Sequence, residues 1–157
     1  MPQSYDIMAH TRLVADWVAV HGNTVISDAS RPVNIANYPR EAVVTPKLGT
    51  DHWPTGVVHF ALPSAPNGST KPIKLLVNVV TTIATARKVE IYFGGSEVYQ
   101  LTLSEEDNLE CLDISSISAM GVQEGRCGQG INVSISIDFR QASSKVSFES
   151  VGMVFSK

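Results

Sequence analysis

The side chains best suited to chemistry crowd into the first half of the chain: Trp17, His21, His52, Trp53 and His59. An imidazole titrates near neutral pH and serves as acid or base, and an indole offers a flat apolar wall to a ring or a sugar face. Read as a strand, Arg12–His21 puts Trp17, Ala19 and His21 on one face and Val14, Val18 and Val20 on the other. His59 sits on the strand that follows the Trp53 loop. If these strands are neighbours, two imidazoles and an indole converge at one end of the fold, lining a pocket for a small, mostly apolar ligand. Asp16 lies on the valine face. Buried there it needs a partner, and beside His21 or His59 it would complete an acid–base pair. A plainer reading competes: a tryptophan in a β-sandwich is usually core, and a histidine next to glycine at a strand end usually caps the backbone.

Other chemistries lack their motifs. His52 and His59 have no close ligand spacing and no carboxylate cluster beside them, so neither a metal nor another cofactor is expected. Gly125, Gly128 and Gly130 are not followed by the Lys-Ser/Thr of a phosphate-binding loop, and no Gly-x-Ser-x-Gly elbow occurs. Cys111 and Cys127 read as reduced thiols, the alternative being one bridge between the Cys111 strand and the Gly125–Gly130 turn. The sequons at Asn67 and Asn132 read as chance matches. With a net charge of −3 and no basic cluster, no nucleic-acid partner is expected. No apolar run approaches the roughly 20 residues needed to span a bilayer. The first ten residues lack a secretory pattern, so the expected location is cytoplasmic, although a mature secreted fragment would look the same.

The elements that must position these residues are strands. In Gly130–Arg140, apolar Ile131, Val133, Ile135, Ile137 and Phe139 alternate with Asn132, Ser134, Ser136 and Asp138, which predicts a half-buried strand with one wet face. Lys88–Phe93 and Glu97–Leu103 flank Gly94-Gly95 as a hairpin, with Tyr92 and Tyr99 as exposed cross-strand partners. Thr24–Ser27 is expected to pair back on the Trp17 strand, and Val33–Ile35 to form an edge strand among turn formers. Ile73–Thr82 is nearly all apolar, predicting a strand buried on both faces or central in a sheet. In Lys145–Phe155 the alternation changes phase near Ser150, the mark of a β-bulge. With no convincing helix, the expected fold is all-β: a single-domain antiparallel β-sandwich (jelly-roll-like) or a flattened barrel, of about ten strands. It would occupy 12–157, behind a loose leader at 1–11.

Several pieces resemble the DUF6623-like family of small bacterial and fungal β-sandwich proteins. They are Trp17 followed by His21-Gly22, Gly49-Thr50 leading to Trp53, His59-Phe60-Ala61-Leu62-Pro63, the Arg87–Gly94 hairpin, and the closing Ser150–Phe155. The resemblance runs from about Trp17 onward, with an apparent insertion at Pro54-Thr55-Gly56. It implies a fold and brings no activity with it.

Three functional readings follow. The first is a cofactor-free module binding a small molecule or carbohydrate at a rim of Trp17, His21, His52, Trp53 and His59. The second is a small cofactor-independent enzyme of isomerase or cyclase type, using His21 or His59 with Asp16. The third is self-association into a homo-oligomer through exposed strand edges.

Overall fold

The computed structural model describes residues 15–47, 55–66, 69, 71–104, 107, 109–117 and 130–156. The expected leader, His52, Trp53, Cys127 and most of the Gly121–Gly130 turn lie outside that set. Among the described residues there are eleven strands: β1 (Ala15–His21), β2 (Ile26–Ser27), β3 (Val33–Asn37), β4 (Ala42–Pro46), β5 (Thr55–Leu62), β6 (Lys71–Thr82), β7 (Ala84–Phe93), β8 (Ser96–Thr102), β9 (Cys111–Asp113), β10 (Ile131–Phe139) and β11 (Lys145–Ser156). They form two antiparallel sheets. One runs β3-β4-β11-β6-β9, with β1 alongside the upper half of β11, and the other runs β2-β5-β10-β7-β8. The pairing is nested: β4 with β11, β5 with β10, β6 with β9 and β7 with β8. The chain from β4 to β11 is thus one long double ribbon, closed at Gly94-Gly95 and wound across two layers, which is the jelly-roll path. The layers stay a sandwich and do not close into a barrel.

Period-two alternation builds the core. The apolar residues of β10, from Ile131 to Phe139, are at most 3% exposed. They face Val146, Phe148, Val151, Met153 and Phe155 of β11 in the same buried cluster. Phe60 of β5 and Phe148 of β11 lock the layers edge to face, with centroids 5.1 Å apart at 64°. Each such side chain contributes about 2–3 kcal/mol of burial. The phase change in β11 is a bulge: Phe148 pairs with Val79 and Ser150 with Asn78, so Glu149 is the extra residue, beside the expected Ser150.

Two local expectations need correction, and a third, for β6, resolves to one of its two alternatives. Ile26–Ser27 does not pair back on β1 but crosses to the other sheet and pairs with His59 and Val58 of β5. Gly22 explains the crossing: it is buried so tightly against β11 that a Cβ there would collide with the carbonyl oxygen of Phe148. β6 lies inside its sheet, but its far end turns Val80 to solvent at 64% exposure, so it is not buried on both faces. Tyr92 and Tyr99 are not cross-strand partners. A register shift after Ile91 pairs Tyr92 with Glu97 and Tyr99 with Ile91, which sends the two rings to opposite faces.

Candidate functional site: a polar groove on the five-stranded sheet

The wet face of β10 is the floor of a groove. Asn132, Ser134, Ser136 and Asp138 point outward, between Thr55, Val57, His59 and Ala61 of β5 and Lys88, Glu90 and Tyr92 of β7. The register sets them in rows: Ala61–Asn132–Tyr92, His59–Ser134–Glu90, Val57–Ser136–Lys88 and Thr55–Asp138–Thr85. From Asn132 to Asp138 the floor is about 20 Å long at ~3.4 Å per residue. With Asp28, Arg31 and Arg87 on its flanks, the open groove encloses about 920 Å³.

At its centre Asp28, His59 and Ser134 form a hydrogen-bonded series. His59 Nε2 lies 2.6 Å from Asp28 Oδ1, and His59 Nδ1 lies 2.6 Å from Ser134 Oγ. Asn132 Nδ2 donates to the same Ser134 oxygen at 3.0 Å. Asp28 Oδ2 accepts from the Ser30 hydroxyl at 2.6 Å and from the backbone N–H groups of Ser30 and Arg31 at 2.9 and 3.0 Å. The Ser30 hydroxyl, then His59, hold the Asp28 carboxyl far below the usual carboxylate range. An ionised Asp28 must accept, so Nε2 carries the proton toward it. In the neutral ring Nδ1 then accepts the Ser134 hydroxyl proton, and Ser134 accepts from Asn132. Every polar group in the series has a partner.

The same three residue types make the acyl-transfer triad, but this geometry does not supply a nucleophile. Ser134 is only 4% exposed and sits in mid-strand. It is paired on both sides, to His59 and to Glu90, so the ladders take up the backbone N–H groups that an oxyanion would need. The ring also meets serine through Nδ1 and aspartate through Nε2, the reverse of the hydrolytic arrangement. The series pins the imidazole, 28% exposed, as a fixed part of the floor.

The two ends of the groove differ in charge. At the Asn132 end, Tyr92 donates its hydroxyl to Glu90 Oε2 at 2.9 Å, and Lys88 Nζ lies 3.4 Å from Glu90 Oε1. That hydrogen bond to a carboxylate, with burial, pushes the Tyr92 hydroxyl up to about 12. Burial raises Glu90, but hydrogen bonds from Glu97 and Tyr92 and the Lys88 charge outweigh it, so Glu90 stays below its ordinary value. Glu97, hydrogen-bonded to Glu90, is raised, as expected for two carboxyls competing for one proton. At the Asp138 end, Arg87 Nε lies 2.7 Å from Asp138 Oδ2, and Thr55 donates to Asp138 Oδ1 at 2.8 Å.

The expected site residues do not all meet here. Trp17 and His21 share a face of β1, as their spacing implied, but it is the outward face of the other sheet. Trp17 is 40% exposed beside Val154, and His21 Nδ1 accepts from the backbone of Asn23 as a turn cap. Asp16 is half-buried on the opposite face of β1, so it serves neither His21 nor His59. The carboxylate partner of His59 is Asp28. Among the described members of the expected set, His59 alone lies in the groove; His52 and Trp53 fall outside the described residues. The spacing Asp28-x-Ser30, a side chain folding back on its own turn, was the local signal for Asp28. Ser134 and Asn132 were visible only as members of a wet face. Their Asn-x-Ser sequon lies in a central strand with the Asn132 amide engaged to Ser134. Cys111 is exposed with a free thiol. Among the described residues no group of three His, Cys, Asp or Glu side chains is placed to hold a metal ion, and no helix is long and apolar enough to cross a membrane.

No family model matches the chain, and no curated protein matches it. Among solved structures, the Glycosylation Associate Protein (Gap123) complex from Streptococcus agalactiae has a similar fold, with a TM-score of 0.55 at 9% identity. The likeness covers 91% of this chain and 26% of that one, so this chain corresponds to about a quarter of its length. At that identity it speaks for the fold alone.

Proposed function

We propose that this chain is a binding module that holds a hydroxyl-rich small molecule, in the first instance a short saccharide, in the groove of the five-stranded sheet. The observation that carries this reading is the groove floor: amide, hydroxyl, imidazole and charged groups set in register along about 20 Å of strand, on a rigid sheet. Its volume of about 920 Å³ suits a ligand of several rings. A ligand rich in hydroxyls both donates and accepts, and so does this floor: Asn132 and Lys88 donate, and Asp138 and Glu90 accept. The interlocked Asp28–His59–Ser134 series favours binding over turnover, because both ring nitrogens are engaged and the serine is covered. This reading puts the site on the sheet face and away from Trp17 and His21, which ride on the other sheet. Membership of the DUF6623-like family stands beside this as a proposal resting on the motifs quoted above.

Isothermal titration with neutral oligosaccharides of cello-, xylo- and chito- type tests it. Saturable binding to at least one series, weakened ten-fold or more by Asn132→Ala or His59→Ala and unchanged by Trp17→Ala, is the expected result. Binding abolished by Trp17→Ala and untouched by the groove variants would move the site to the other sheet.

A further inference from the structure

The groove runs on at its Asp138 end into a second polar hollow of about 410 Å³, lined by Thr55, Thr85, Arg87, Asp138, Phe139 and Arg140. Thr55, Arg87 and Asp138 belong to both spaces. Arg87 and Arg140 line this hollow, and Arg31 lines the adjoining groove. Arg31 flanks the β5 side, its carbonyl bonded to the Val57 N–H at 3.0 Å. Arg87 rises from the β7 side, where the Ser136–Ile137 register shift sets it beside Asp138. Arg140 follows β10, with Nη2 donating to the Thr85 hydroxyl at 2.9 Å. Among the described residues only Arg87 has a carboxylate partner, Asp138, and Arg31 and Arg140 make no ion pair. With Arg87 paired to Asp138, the Arg31 and Arg140 charges have no carboxylate partner among the described residues, in a chain whose net charge is −3. Of the other groove carboxylates, Glu90 is offset by Lys88, and the Asp28 charge is turned toward His59 and its own turn. Guanidinium forks match planar oxyanions in geometry as well as charge.

We infer that the Arg31–Arg87–Arg140 end of the groove is an anion subsite that takes a carboxylate or sulfate carried by the bound molecule. Resting on the saccharide reading above, this makes the ligand class an acidic saccharide, with its neutral hydroxyls over Asn132 and Ser136 and its acid group at the arginines.

The subsite is testable without any sugar. Sodium sulfate titrated into protein labelled with ¹⁵N at arginine Nε is expected to shift the Arg31 and Arg140 side-chain resonances saturably. Sodium chloride at matched ionic strength is expected to leave them nearly unmoved, and the Arg31→Gln/Arg140→Gln variant to lose the saturable response while unfolding at the wild-type temperature. A sulfate response no different from chloride overturns the subsite. A second arm compares trigalacturonate with its methyl ester, which has the same rings without the charge. Binding of the free acid at least ten-fold tighter, with the advantage lost in the double variant, supports the subsite. Equal affinity for acid and ester overturns it and leaves the saccharide reading standing. Saturable sulfate binding with no affinity for the acid, the ester or the neutral oligosaccharides keeps the anion subsite and removes the saccharide reading.

Discussion

Asp28 and His59 are joined at 2.6 Å across the edge of the five-stranded sheet, where the strand that ends at Ser27 hands its next residue to the imidazole of β5. The bond closes a series that reaches the central strand at Ser134. It turns a two-residue edge strand and the loop after it into one wall of the groove.

Removing the Asp28 carboxylate takes the partner from the His59 N–H and from the Ser30–Arg31 turn. Hydrogen bonds to a charged acceptor are worth about 1.5–3 kcal/mol each in net terms, so Asp28→Ala should cost about 2–3 kcal/mol at pH 7. The sign with pH follows from the depressed carboxyl. The folded state holds Asp28 ionised below the unfolded value of about 3.9, so this contribution is whole above about pH 4. It declines as the pH falls from there toward the folded value. Thermal unfolding of wild type and Asp28→Ala should differ most near neutrality and by clearly less at about pH 2. A gap that does not narrow would show that the stabilisation does not come from the ionised carboxylate.

Ser134 is expected to be inert toward a fluorophosphonate probe, because its hydroxyl is covered and no oxyanion donors face it. Ser134→Ala should still cost about 1–3 kcal/mol, since Asn132 Nδ2 and His59 Nδ1 both lose their partner. ¹⁵N spectra of the neutral imidazole should show the Nε2–H tautomer. Rapid covalent labelling at Ser134 would instead identify a hydrolase and displace the binding reading.

Ile83 joins β6 in one sheet to β7 in the other and holds φ at 53°, a region that a β-branched residue adopts only under strain. The Ser144 hydroxyl and the Arg140 N–H both hold its carbonyl oxygen, which fixes the crossing. The side chain is 45% exposed, so little packing is at stake. Ile83→Asn, which tolerates the left-handed region, should gain about 1 kcal/mol and raise Tm by about 2–4 °C. A lower Tm would show that the isoleucine packs more than its exposure suggests.

Gly22→Ala should be among the more damaging small substitutions, costing more than about 2 kcal/mol. The new methyl meets the backbone of Phe148, which the β11 ladders hold in place. Its exposed neighbour is the control: Asn23→Ala should stay within about 0.5 kcal/mol. Denaturant titration of the pair checks both, and equal small effects would mean that β1 and β11 can move apart.

Much of the fold was legible residue by residue. The alternation from Ile131 to Phe139 assigned the buried and wet faces of β10, the Gly94-Gly95 pair assigned the β7–β8 hairpin, and the lost phase in Lys145–Phe155 located a bulge within one residue. The candidate site was less legible. Of the described members of the expected set only His59 lies in the groove, and the expected partner Asp16 gave way to Asp28.

From sequence alone come the strands, their inward and outward faces, and the all-β architecture, because side-chain direction along a strand depends only on position parity. Which strands become neighbours, and on which layer, was decided by the tertiary fold. Asp28 and Ser134 lie 31 and 75 positions from His59, and no local pattern encodes a meeting at that range. Trp17 and His21 carry the same outward signal as His59 but ride on the other sheet. Parity names a face without naming the layer it belongs to, and only the nested winding of β4 to β11 supplies that second coordinate.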